Sequence, residues 1–147
     1  MAADLKAEGA KINSELDKFN KEVTACSMQT KRSTFFFTAI EDQCVDLAHA
    51  KCISQHDQYK LEVERLQRSR FKEFFQIEVN CSKLVHHLHQ WENPVPVNSE
   101  EQLEKAKSFM TCFRPHAEKL LEIAREEVSL LKRATHELRR TAGLKGD

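Results

Sequence analysis

Histidine is the first residue type in this chain whose spacing could do chemistry. His86, His87 and His89 follow one another closely, and His86 with His89 would offer two imidazoles on one helix face to a metal ion. Zinc takes four ligands, and no second Cys/His pair stands at a defined spacing, so these side chains read as a solvated histidine surface and no metal is assigned. His49, Cys52 and His56 form a second cluster at helical steps, on the face opposite the apolar one, and read the same way. The neighbouring carboxylates Glu100 with Glu101, and Glu126 with Glu127, diverge on a helix, which leaves them as solvated charge rather than an acid/base pair. A nucleophile needs a base and an orienting group on convergent loops, and phosphate chemistry needs a glycine-rich cradle; the sequence offers neither. The expectation is a protein that is not an enzyme and takes no cofactor.

The elements available to position side chains are helices. Only three glycines and three prolines occur in 147 residues, and between Ala10 and Asn93 there are none, so nothing over that span must stop a helix. With 40% hydrophobic and 31% charged residues, the chain fits one domain able to bury a core. Lysine plus arginine equals aspartate plus glutamate at 23 each, which argues against the basic surface of a dedicated nucleic-acid binder. Five cysteines occur without a CxxC pair, and Cys26, Cys44 and Cys81 fall on apolar positions. They read as reduced core residues, which points to a cytoplasmic or nuclear setting. The amino terminus lacks the basic start and apolar run of a signal peptide, and no apolar segment approaches the ~20 residues of a membrane span.

The organising stretch runs from Tyr59 to Trp91. Tyr59, Val63, Leu66, Arg70, Phe74, Ile77, Cys81, Leu84, Leu88 and Trp91 recur at steps of three and four, with a stutter between Arg70 and Phe74. A first helix presents Leu16, Phe19, Val23, Cys26, Thr30, Ser33, Phe37, Ile40, Cys44 and Leu47, and Ser54 to Asp57 matches a cap-like turn. Folding back there levels Cys44 with Leu66 and Phe37 with Phe74, and sets Glu41, Asp42 and Asp46 against Arg70, Arg68 and Arg65. Pro94 and Pro96 end the second helix, and Ser99 to Gln102 is a capping box that opens a third, with Leu103, Ala106, Met110, Phe113, Ala117, Leu120, Ala124, Leu131 and Leu138 on one face. Pro115 interrupts that helix without breaking its phase, which reads as a kink. The expected fold is all-α: an elongated antiparallel three-helix bundle with coiled-coil packing, helices over about 4–53, 57–92 and 99–142, the third kinked at Pro115.

Long helices chiefly present surface. In this register Phe35, Phe36 and Phe37 meet Phe71, Phe74 and Phe75; the core takes Phe36, Phe37, Phe71 and Phe74, leaving Phe35 and Phe75 outward. Leu5, Ile12 and Leu16 form an apolar stripe beyond the reach of the second helix, which suggests pairing with a second copy or with a partner's helix. Lys132, Arg133, Arg139 and Arg140 gather near the carboxyl end. The function expected is a non-enzymatic protein-protein interaction or scaffolding module, with Leu5, Ile12, Phe35, Phe75, Arg139 and Arg140 as partner-binding residues and a homodimer as one form. The alternative is a peripheral membrane or lipid-binding helical protein that uses the outward phenylalanines and the basic segment.

Overall fold

The structure is a computed structural model that describes residues 2–81 and 97–144, with side chains from residue 4 onward. The histidine run at 86–89 and the rungs Leu84, Leu88 and Trp91 lie outside the described residues. Helix α1 spans Ala2–Asp46, and α2 spans Ala50–Gln76 and continues as a π-helical turn over Ile77–Cys81. Helix α3 spans Glu100–Thr141 and runs through Pro115 without interruption. The three helices pack together, and no strand occurs among the described residues. Two compact units result, one from Met1–Thr24 with Phe71–Leu121, the other from Ala25–Arg70 with Glu122–Asp147.

The first turn corrects the expected one. Helix α1 stops at Asp46, several residues before the cap-like Ser54, because its end closes on itself. The His49 amide donates to the Cys44 carbonyl at 3.0 Å and the Ala48 amide to the Val45 carbonyl at 2.9 Å. This double bond pattern needs a left-handed residue between them, and Ala48 supplies it with φ of +50°. His49 then caps α2, its Nδ1 accepting from the Cys52 amide at 3.3 Å.

Moving the turn moves the register. Cys44 faces Cys52 rather than Leu66, with Cα atoms 5.5 Å apart at disulfide distance, and Phe37 stacks on His56 rather than on Phe74, ring centroids 4.2 Å apart. The slip at Cys44 is two heptads, a shift that keeps apolar rungs on apolar rungs and therefore leaves no trace in periodicity. His49, Cys52 and His56 consequently extend the inward face of α2 instead of opposing it; Cys52 and His56 are buried. With Phe37, Ile40, Cys44, Val63 and Leu66 from α1 and α2, and Leu130, Leu131, Ala134 and Leu138 from α3, Cys52 forms the core of the second unit.

In the first unit the stutter is displaced. Helix α2 keeps its alternation of three and four through Arg70, Glu73 and Ile77, so Glu73 is buried where Phe74 was expected, and Phe74 is half-buried. The surplus residue is absorbed at Ile77–Cys81, where the wider π turn returns Cys81 to the face of Ile77 after four residues. Cys81 there meets Cys112 of α3 at a Cα separation of 5.6 Å, also at disulfide distance. Cys44 and Cys81 are thus paired rather than isolated thiols, and Cys26 is the buried free cysteine.

The nine rungs expected on α3, from Leu103 to Leu138, are all buried. Its start is capped as expected: the Gln102 amide donates to Ser99 Oγ at 3.2 Å, and Gln102 Oε1 accepts from the Asn98 amide at 2.6 Å. The amino-terminal stripe of α1 is covered within the chain, which corrects its assignment as a free face. Ile12 and Leu16 are buried, Leu5 is half-buried, and Val97 lies so close to Gly9 that a Cβ there would stand 2.9 Å from the valine Cβ. Phe19 meets Phe113 edge to face at 5.6 Å, and Glu8 and Glu15 pair with Lys107 and Arg114.

Candidate functional site

The outward residues separate into two sets, one in each unit. In the second unit the backbone phase that buries Phe37 turns Phe35 and Phe36 out, with 69% and 43% of their surfaces exposed. Their rings meet edge to face at 5.6 Å, and Arg139 of α3 places its guanidinium carbon 5.8 Å from the centre of the Phe36 ring, a cation–π contact. Arg140, the next residue, is exposed and lines a groove between the first turn of α2 and the end of α3. Three expected partner-binding residues, Phe35, Arg139 and Arg140, therefore belong to one unit, and Phe36 bridges two of them. In the first unit Phe71 and Phe75 are 64% and 59% exposed, and with Val79 they follow at steps of four along one stripe.

Phe36 and Phe71 were expected in the core and are instead on the surface. The causes differ: in α1 a helix that turns about 100° per residue cannot bury the adjacent rings of Phe36 and Phe37 on one narrow seam, whereas in α2 the seam runs through Arg70, Glu73 and Ile77 and leaves Phe71 one residue off it. Phe37 takes the seam position in α1 and Glu73 takes it in α2. Ile12 is buried and Leu5 half-buried.

Buried polar groups explain how the faces are held. Glu127 is wholly buried and accepts from Arg70 Nε at 3.0 Å, so the Glu126 and Glu127 pair divides into one exposed and one interior carboxylate. Glu73 accepts from His116 Nδ1 at 3.0 Å and lies 3.2 Å from Lys119 Nζ. Burial pushes the Glu73 carboxyl upward, but the hydrogen bonds and charges of His116 and Lys119 outweigh it and hold the group below its ordinary value. Glu15 is likewise lowered, chiefly by the two-pronged hydrogen bond from Arg114, whose own value is raised by the same contact. Tyr59 is pushed up to about 12, first by burial and then by the hydrogen bond its hydroxyl donates to Glu137. His56 Nε2 donates to the Phe37 carbonyl at 3.0 Å, while Glu41 stands 3.2 Å from Nδ1, off the direction of a hydrogen bond.

These contacts hold helices in place; none sets a nucleophile against a base beside an open cleft. Among the described residues no group of three His, Cys, Asp or Glu side chains is placed to hold a metal ion, and no helix is long and apolar enough to cross a membrane. The chain matches no known family model, no curated protein and no solved structure.

Proposed function

We propose that this chain is a non-enzymatic protein-protein interaction or scaffolding module, built as an antiparallel helical bundle with coiled-coil packing and a bend in α3 at Pro115. The observation that supports the reading is the outward placement of large aromatic rings on helices whose inner faces are otherwise filled: Phe35 and Phe36 in one unit, Phe71 and Phe75 in the other. Exposed aromatic clusters beside arginine are the composition of protein interfaces, where rings supply contact area at small conformational cost. The antiparallel sense is supported in the second unit by Cys44 facing Cys52 while Phe37 faces His56. The bend at Pro115 is supported by the chemistry of proline, which removes one helical hydrogen bond and crowds the preceding turn.

A second reading, a peripheral membrane protein, is favoured by Arg139 over the exposed Phe36 ring with Phe35 next to it, since rings that enter a lipid surface are commonly flanked by cations. Two measurements separate the readings. Affinity capture with quantitative mass spectrometry should return a specific protein set, and co-sedimentation with phosphatidylserine liposomes that contain no phosphoinositide should leave the chain in the supernatant. Pelleting with liposomes, together with an empty capture, would overturn the interaction reading in favour of the membrane one.

A further inference from the structure

Four cations among the described residues are matched by a carboxylate on another helix. Arg70 has Glu127, Arg114 has Glu15, Lys107 has Glu8, and Lys119 has Glu73. Lys51, Arg133 and Arg140 break that pattern. They border one groove of about 500 Å³ in the second unit, and none of them forms an ion pair among the described residues.

The groove is built from two helix ends. Arg133, His136 and Arg140 follow at helical steps along the last two turns of α3, and Lys51 with Gln55 comes from the first turns of α2. Thr141 donates to Gln55 Oε1 at 2.8 Å, which fixes the amide and leaves its NH2 as a donor. The groove has one carboxylate, Glu137, and Tyr59 already donates to it. Two of the last α3 carbonyls that would otherwise repel an anion are occupied: Leu144 donates to the Arg139 carbonyl at 2.8 Å, and Gly143, at φ of +73°, to the Arg140 carbonyl at 3.1 Å.

We infer that this groove is a binding site for a multiply charged phosphate ester. Two guanidinium groups offer planar forks that match phosphate oxygens, Lys51 adds a point charge from the opposite wall, and His136 and Gln55 add donors between them. Three unmatched cations against one engaged carboxylate give the groove a positive field toward an anion of several charges. The site is separate from the aromatic face: the groove can be altered with Phe35 and Phe36 left in place. Its ligand chemistry could come from a soluble polyphosphate ester or from a phosphorylated inositol lipid headgroup.

The test uses the full chain and inositol hexakisphosphate as the soluble probe, by isothermal titration calorimetry at about 0.15 M salt so that diffuse surface charge is screened. A Lys51→Gln/Arg133→Gln/Arg140→Gln variant is compared with Lys31→Gln/Lys60→Gln/Lys72→Gln, which removes the same charge from exposed positions outside the groove. The groove variant should weaken binding at least about tenfold and the control less than about threefold. A second arm measures co-sedimentation with phosphatidylcholine vesicles, with and without phosphatidylinositol bisphosphate. Binding of the soluble ester identifies a free phosphate ester as sufficient; groove-dependent binding confined to the phosphoinositide vesicles identifies the lipid headgroup as the source. Lys51→Gln alone, read in both arms, keeps the test decisive if the triple variant loses helicity. The proposal is overturned if neither probe binds, if the control weakens binding as much as the groove variant, or if a phosphate-free acidic peptide binds equally well.

Discussion

Arg70 donates through Nε to Oε1 of Glu127 at 3.0 Å, joining a partly exposed guanidinium on α2 to a carboxylate on α3 that has no exposure at all. An interior carboxylate is tolerable only while its partner stays. Arg70→Ala should therefore destabilise toward the lower end of the roughly 3–5 kcal/mol seen when a buried pair is broken, since Arg70 itself is partly in water. Arg70→Met with Glu127→Leu should recover most of that loss, because apolar side chains of similar volume need no solvation. Urea denaturation of the two single variants and the double variant measures both effects.

Ala48 sits in the left-handed region at φ of +50° to close α1, a conformation that favours glycine. Ala48→Gly should raise stability by roughly 0.5–1 kcal/mol, although glycine weakens a helix interior, because the left-handed closing residue of a helix is the position glycine suits. A rise in the thermal midpoint checks the position of the turn. A fall would place the turn elsewhere.

How much of this was legible in the sequence depended on whether a residue type and its role coincide. The inner face and the start of helix α3 were readable, because each apolar rung from Leu103 to Leu138 is buried and its cap is an ordinary Ser99 with Gln102. The first turn was hidden, because Ala48 does the work of a glycine and a two-heptad slip preserves the ladder. The seam of α2 was misread at one rung, since an apolar Phe74 looks like core and a charged Glu73 does not. What buries Glu73 is the pair His116 and Lys119, distant in sequence. Of the surface residues, Phe35 and Phe75 were placed outward by helical phase, and Arg140 was singled out by the concentration of basic residues near the carboxyl end. Lys51 was missed because its place in the groove depends on the hidden turn.

Tyr59 is the chain's one tyrosine, so its ionisation can be read without interference. Its hydroxyl, pushed up to about 12, should titrate well above the ordinary value of 10.0 when followed by ultraviolet difference absorbance. The sign follows from the neutral form being the one favoured in the fold: the contribution is complete below pH 10 and is lost as pH rises toward about 12. Tyr59→Phe should flatten stability over that window.

Glu73 supplies the acid-side counterpart. Its carboxyl is held below the ordinary 4.5, so its stabilising contribution is complete above that value and is lost as pH falls through the lower folded one. Glu73→Gln should destabilise at neutral pH and reduce the loss of stability on acidification. Thermal midpoints measured across the acid range check this, and an unchanged pH profile would mean that His116 and Lys119 do not hold the carboxylate.

The interaction reading rests on Phe35 and Phe36 being surface and Phe37 being core, and one comparison tests it most directly: quantitative affinity capture with Phe35→Ser/Phe36→Ser beside the unaltered chain, with thermal midpoints measured on both. The expected result is a midpoint unchanged within about 2 °C and loss of a defined set of captured proteins, while Phe37→Ala, included as the core control, unfolds at a cost of about 3–5 kcal/mol. An identical protein set captured by the double variant and the unaltered chain would contradict the assignment of this face as the binding surface.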